Sequence, residues 1–155
     1  MNSSNMLSRQ GHRLLQAGVA LLLFASLEGL AIPFFTVTHL GLSVHSLSAS
    51  LGVLLLALGL LWPSLNLGSI TSRIAFGFLI YFTLAILAAY LMAGIWGAGH
   101  STMPLAAGAA RGSAFQEAVI KVMAYASAPP GIISFALILW GLRGKATSSL
   151  MKGEY

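Results

Sequence analysis

The sequence contains no cysteine and no aspartate, and charged residues make up only 7% of it. The absence of cysteine excludes disulfides, thiolate metal sites and a cysteine nucleophile. A soluble domain carries roughly 25% charged residues, so this deficit is too large for a surface that faces water. Because 57% of the residues are hydrophobic, the composition is typical of a protein that lies in lipid.

Acidic residues are the scarcest charged class, since the carboxylate side chains are those of Glu28, Glu117 and Glu154. The net charge of +5 does not indicate nucleic-acid binding. The basic residues occur singly at the ends of predicted helices, without a patch and without interleaved aromatic residues. We therefore expect a lipid bilayer as the surrounding medium and no nucleic acid as a partner.

Four apolar runs are each long enough to cross a bilayer, which takes about 20 residues per helix. They predict helices over about 11–37, 43–62, 71–96 and 115–142. The expected fold class is therefore all-α, an integral membrane four-helix bundle. The first apolar run is too long for a cleavable signal, and no cleavage pattern follows it.

The chain divides into three predicted parts: a polar N-terminal tail over 1–10, a membrane domain over 11–145 and a polar C-terminal tail over 146–155. Pro129 and Pro130 fall in the middle of the fourth helix and are expected to kink or break it. The long connection over 97–114 is rich in glycine and alanine. Such a loop can lie over a site as a lid, or it can be slack.

The distribution of lysine and arginine predicts the orientation of the chain. The side that holds both termini and the second loop carries most of the basic residues: Arg9, Arg13, Arg73, Arg143, Lys145 and Lys152. The other side carries Arg111, and Lys121 lies within the fourth helix. We therefore expect both termini in the cytoplasm and a location in the bacterial inner membrane.

Polar groups on four different helices are predicted to lie at similar depth in the outer half of the membrane. A rise of ~1.5 Å per residue through a core of ~30 Å places His45, Tyr90, Glu28 and Lys121 there. An unpaired charge in the bilayer costs several kcal/mol. Glu28 and Lys121 are therefore candidates for an intramembrane ion pair, unless one of them faces the pocket as an acid, a base or a substrate clamp.

His45, at the start of the second helix, is by its position alone either an interfacial residue or a metal ligand. His39 precedes it by six residues, a spacing that does not place two imidazoles on one face of a helix. A two-histidine metal site within the chain is therefore not expected. Tyr90 is by its position alone either a packing residue or a proton donor.

Several short motifs carry a resemblance to a known family. They are GHRLLQAG at 11–18, GLSVHS at 41–46, ALGLLWPSL at 57–65, IWGAG at 95–99, GSAFQEAVIKV at 112–122 and LWGLRGK at 139–145. In this order and spacing the chain resembles hydroxylaminobenzene mutase, a small four-helix membrane enzyme. More distantly it resembles styrene oxide isomerase.

The resemblance implies a membrane-embedded isomerase or mutase with a haem b at the interface of a homotrimer. His45 occupies the position of the axial histidine, and the iron would act as a Lewis acid on the substrate oxygen. The implied substrate is a small hydrophobic aromatic compound: an aryl hydroxylamine that becomes an aminophenol, or an aryl epoxide that becomes a carbonyl compound. Tyr90 matches the tyrosine that faces the epoxide in the isomerases and would orient or protonate the substrate.

The chain departs from the family pattern at three positions near this site. Leu51 and Ile86 replace two asparagines of the family, and Phe82 replaces an aspartate of the epoxide isomerases. The loss of hydrogen-bond donors implies another substrate, a slower enzyme or a protein that only binds haem. A b-type cytochrome with His39 as second axial ligand is one alternative. A transporter with Glu28 and Lys121 as a proton-coupled pair is another, although no internal repeat supports it.

Overall fold

The computed structural model of the chain describes residues 3–143. The predicted C-terminal tail, with Lys145 and Lys152, lies outside the described residues. All regular elements over 3–143 are helical, which confirms the all-α class. They are α1 (Ser3–Ala31), α2 (Thr38–Leu61), α3 (Ser69–Trp96), the short α4 (Pro104–Ala107) and α5 (Ala114–Leu142).

Four of these helices are long and apolar enough to cross a membrane, as the four apolar runs predict. Their spans are Asn5–Phe34, Thr38–Ser64, Ser69–Trp96 and Ala114–Leu142. The short α4 lies within the long connection between α3 and α5. The orientation of the termini stays a prediction.

Helix α1 differs from its prediction at both ends. It begins at Ser3, within the segment predicted as a polar tail, because Met6, Leu7 and Gln10 are buried against the rest of the chain. It ends at Ala31 rather than near residue 37, and a 3₁₀ turn over Ile32–Phe34 follows. Pro33 explains this end, since proline has no N–H to donate and its ring clashes with the preceding turn.

Helix α2 begins at Thr38 rather than near residue 43. His39 therefore lies in the first turn of α2, where its side chain is exposed, and not in the preceding loop. His45 lies two turns into the helix instead of at its start. The two imidazoles remain on different faces of α2.

Helix α5 runs without a break through Pro129 and Pro130, where a kink or break was expected. Its contact with α3 stabilises both halves of the helix at this point. Gly131 faces Phe82 so closely that a Cβ there would lie 2.7 Å from the phenyl ring. Neighbouring helices allow proline within membrane helices because they compensate for the lost backbone bond.

The helices pack as two antiparallel pairs, α1 with α2 and α3 with α5, and α2 joins the pairs through α3. Facing glycines bring α1 and α2 together. A Cβ on Gly18 would lie 2.8 Å from the carbonyl oxygen of Gly52, and one on Gly11 would lie 2.8 Å from that of Gly59. Such small-residue contacts allow membrane helices to approach closely, and this approach positions α1 against His45.

Candidate functional site

One face of α1 surrounds the imidazole of His45. Ala25, Glu28 and Gly29 are spaced three and four residues apart, so they share this face. Nδ1 of His45 lies 3.0 Å from the carbonyl oxygen of Ala25. A carbonyl can only accept, so Nδ1 carries the proton, and in the neutral ring Nε2 is the unprotonated nitrogen.

Gly29 provides the space that the imidazole occupies. A Cβ at this position would lie 3.0 Å from both Cε1 and Nδ1 of His45. Any other residue here would push the ring away from the carbonyl oxygen of Ala25. Gly29 therefore helps to fix the orientation of His45.

Nε2 of His45 is free to bind a ligand. It makes no hydrogen bond within residues 5–143, and the side chain is 38% exposed. Histidines that bind metals commonly donate their other N–H to a carbonyl or carboxylate, which fixes the tautomer. The geometry of His45 matches that of a histidine ready to bind a metal through Nε2.

The donor set fits haem better than a bare metal ion. Among the described residues there is no group of three or more His, Cys, Asp or Glu side chains that could hold a metal ion. A porphyrin supplies the equatorial nitrogens itself, so a single axial imidazole is enough for haem. His45 is the residue that would hold the iron.

Glu28 lies beside His45 and is almost entirely buried. Its side chain is 4% exposed, and Oε2 lies 3.6 Å from Nδ1 of His45. Neither carboxylate oxygen has a hydrogen-bond partner in the described part of the chain. Glu28 therefore places an unpaired carboxylate behind the candidate ligand.

The ion pair predicted between Glu28 and Lys121 is not formed within residues 5–143. The neighbour of Glu28 is His45, and the side chain of Lys121 is exposed on α5. The helix pairing explains this, because α1 packs on α2 whereas α5 packs on α3. Lys121 does not contribute to the site around His45.

Tyr90 faces a different space, a cavity of about 280 Å³ between α3, α5 and the loop. The lining residues are Ile86, Tyr90, Thr102, Met103, Ala124, Tyr125 and Ala128. A second space of about 270 Å³ shares Tyr90, Thr102 and Met103 and continues along the loop. The hydroxyl oxygen of Thr102 is buried without a hydrogen-bond partner in the described chain. Most residues that line the cavity are apolar, and the hydroxyl-bearing residues Tyr90, Thr102 and Tyr125 come from α3, the loop and α5.

Glu117, in the first turn of α5, fixes the loop that closes this cavity. Its carboxylate accepts hydrogen bonds from the backbone N–H groups of Gly99, His100, Ser101 and Gly112 and from the Ser101 hydroxyl, at 2.7–3.3 Å. Ser113 and Gln116 cap the same helix end reciprocally. The loop is therefore held in place rather than slack, and its role as a lid over a site stays a prediction.

The sequence predicted His45 and Tyr90 as site residues but did not predict their neighbours. His45 is not among the residues that line the cavity of Tyr90. Ile86, at a position where the family pattern has asparagine, lines that cavity with an apolar side chain, whereas Thr102 and Tyr125 were not predicted. Glu117 was also missed, although a Ser-x-x-Gln pattern beside an acidic residue indicates a capped helix start.

Comparison with known proteins identifies a family for most of the chain. The styrene oxide isomerase family matches residues 10–143. Hydroxylaminobenzene mutase HabB of Ectopseudomonas oleovorans is 45% identical over 131 residues, which cover 84% of this chain and 80% of that protein. Hydroxylaminobenzene mutase HabA of the same organism is 31% identical over 129 residues, 83% of this chain and 96% of that protein. No solved structure gives a significant match.

Proposed function

Because the chain belongs to the styrene oxide isomerase family, we propose that it is a membrane-embedded, haem-dependent mutase that converts a small aryl hydroxylamine to an aminophenol. The family identifies the chain as an isomerase or mutase. The names of HabB and HabA favour the hydroxylamine. The name of the family makes an aryl epoxide the second candidate substrate.

The observation that carries the proposal is the orientation of His45. The hydrogen bond from Nδ1 to the carbonyl oxygen of Ala25 leaves Nε2 unprotonated, so its lone pair could bind the iron of a haem. Glu28, whose Oε2 lies 3.6 Å from Nδ1, would in its ionised form increase the electron donation of the imidazole. When bound, the haem would supply a Lewis acid for the substrate oxygen.

The cavity of Tyr90 suits the aromatic part of the substrate. Ile86, Ala124 and Ala128 provide apolar walls for a ring, and Met103 covers it from the loop. The Tyr90 hydroxyl donates a hydrogen bond to the hydroxylamine oxygen, which weakens the N–O bond. Thr102 lines the same cavity, but its hydroxyl is buried without a partner in the described chain. It would rotate towards the substrate to hold the nitrogen or the oxygen from the other side.

The rearrangement itself conserves atoms and electrons. The N–O bond breaks and a C–O bond forms on the ring, while a ring proton is lost and a proton is added to nitrogen. Substrate and product are isomers, so no external oxidant or reductant is required. A cavity that excludes water protects an electron-poor aromatic intermediate from side reactions.

The proposed assembly is a homotrimer in a bacterial inner membrane, with both termini in the cytoplasm. Within one chain, His45 faces α1, and Tyr90 faces the cavity between α3, α5 and the loop. His45 does not line the Tyr90 cavity of its own chain. An active site that uses both residues therefore requires a second copy whose Tyr90 cavity lies near the Nε2 of His45, and this requirement is part of the proposal.

Absorption spectra and turnover of detergent-purified protein test the proposal, with His45→Ala beside the control His39→Ala. We expect the wild type to show a Soret band and to convert N-phenylhydroxylamine to aminophenol. His45→Ala should lose both properties. His39→Ala should keep both, because His39 lies exposed on another face of α2.

Three outcomes would count against the proposal. Haem-loaded protein that converts neither N-phenylhydroxylamine nor styrene oxide would point to the cytochrome alternative. A ferrous spectrum that carbon monoxide leaves unchanged would support that alternative, because both axial positions would be filled. A Soret band that survives in His45→Ala would show that another residue binds the iron.

A further inference from the structure

A separate cavity lies at the end of the bundle opposite to His45, between the first turns of α1 and α3. It has a volume of about 300 Å³. The residues around it are Met6, Arg9, Gln10, Arg13, Arg73 and Phe76. The proposed isomerase chemistry uses none of them.

Three arginines line this cavity, and none of the described residues around it carries a counter-charge. Arg9 and Arg13 lie one turn apart on α1, and Arg73 extends from the first turns of α3. The carboxylates of the described chain are Glu28 and Glu117, and both lie towards the other end of the bundle. The arginines therefore repel one another across the cavity unless an anion occupies it.

Gln10 adds hydrogen-bond donors to the same space. Its side chain is 8% exposed, and its Oε1 accepts hydrogen bonds from Nε1 of Trp62 at 3.1 Å and from the hydroxyl of Ser72. An indole N–H can only donate, so the Gln10 atom that faces Trp62 must be the oxygen. The amide nitrogen of Gln10, with its two N–H donors, is then left to face the cavity.

Every polar side chain that lines the cavity thus presents a donor or a positive charge. Guanidinium groups bind phosphate oxygens in bidentate fashion, and basic pockets between membrane helices bind lipid head groups. Met6 and Phe76 provide an apolar wall beside the charged groups. We propose that this cavity binds a phosphate group, carried either by an anionic lipid of the adjacent leaflet or by a free phosphate.

Thermal unfolding of the detergent-purified full chain tests the proposal. Phosphatidylglycerol, phosphatidylcholine and inorganic phosphate are titrated separately. We expect phosphatidylglycerol to raise the Tm in a saturable manner and phosphatidylcholine to raise it much less. A similar saturable rise with inorganic phosphate alone would assign the site to the free anion, and its absence would assign the site to the lipid.

Variants of the lining residues show whether the effect belongs to this cavity. Arg13→Gln and Arg73→Gln should each raise the half-saturating concentration about fivefold, as expected for about 1 kcal/mol per basic residue. Gln10→Glu keeps an oxygen for Trp62 but places a carboxylate at the cavity, so it should abolish the saturable rise. Because Arg13 and Arg73 are exposed, their variants are expected to fold.

Arg143→Gln is the matched control, since Arg143 is exposed at the same end of the bundle but does not line the cavity. It removes the same charge and should leave the titration unchanged. An equal loss in Arg143→Gln would overturn the proposal in favour of general surface charge. Equal effects of phosphatidylglycerol and phosphatidylcholine, or no saturable effect of any additive, would overturn it as well.

Discussion

Glu28 places a buried carboxylate 3.6 Å from Nδ1 of His45, and neither of its oxygens has a hydrogen-bond partner in the described chain. Burial of such a group is costly, so its position needs a reason other than stability. The proposed reason is its effect on the imidazole, which becomes a stronger electron donor beside a negative charge. Single substitutions of the residues around His45 test how each of them affects the imidazole.

Gly29→Ala tests whether the close approach of α1 orients His45. The added Cβ would lie 3.0 Å from the ring, so the imidazole must shift and its hydrogen bond to the carbonyl oxygen of Ala25 weakens. We expect a loss of about 1–2 kcal/mol in stability and a reduced Soret band. Thermal unfolding and absorption spectra measure the two effects.

Gly77→Ala is the control for that substitution. Gly77 is also a helix glycine, but an added Cβ there would meet nothing within 4 Å. Alanine favours a helix over glycine by up to about 1 kcal/mol, so this variant should be equally or more stable and keep its haem. Equal losses in both variants would mean that the space beside His45 has no special role.

Glu28→Gln should stabilise the protein while it impairs the site. It removes a buried charge that has no hydrogen-bond partner in the described chain, so we expect a gain of about 1 kcal/mol. The imidazole loses its negative neighbour, so the reduction potential of bound haem should rise. Thermal unfolding measures the stability, and a redox titration measures the reduction potential of bound haem. A clear loss of stability would show that the carboxylate is paired in the folded protein.

Glu117→Gln should have the opposite effect on stability. Glu117 accepts five hydrogen bonds, all from donors of the loop between α3 and α5. The amide nitrogen of glutamine would face N–H donors on one side, so we expect a loss of about 2 kcal/mol. Limited proteolysis of the loop provides a local measurement. Glu28→Gln should thus raise the stability of the protein, whereas Glu117→Gln should lower it. A gain of stability in both variants would contradict the role of Glu117 in holding the loop.

The helices of this protein were predictable because each apolar run is long enough to cross a bilayer. The four runs predict the four long apolar helices, and the errors lie at the ends of these helices. The N-terminal segment looked polar, but Met6, Leu7 and Gln10 recur at helical spacing and are buried. Pro33 ended α1 earlier than hydropathy alone suggested.

The sequence predicts the depth of the site residues but not the direction in which their side chains point. Sequence position placed Glu28 and Lys121 at similar levels, yet it did not say which helices are neighbours. Because α1 packs on α2, Glu28 reaches His45 and not Lys121. Thr102 was not predicted, because a loop has no periodicity that indicates where its side chains point.

Thr102→Val separates a substrate contact from a structural role. The Thr102 hydroxyl is buried without a partner in the described chain, so valine should add about 1 kcal/mol to stability. If the hydroxyl binds the substrate, kcat/KM should fall about tenfold, the loss expected for one hydrogen bond. Thermal unfolding and steady-state kinetics measure the two quantities.

Thr83→Val is the matched control, because the hydroxyl of Thr83 is buried but donates to the carbonyl oxygen of Leu79 at 2.9 Å. Removal of that bond should cost up to about 1 kcal/mol and leave kcat/KM unchanged. The two threonines therefore predict different patterns: a gain of stability with a loss of activity at Thr102, and a loss of stability with unchanged activity at Thr83. A Thr102→Val enzyme with unchanged kcat/KM would exclude the Thr102 hydroxyl from substrate binding and leave those of Tyr90 and Tyr125 in the cavity.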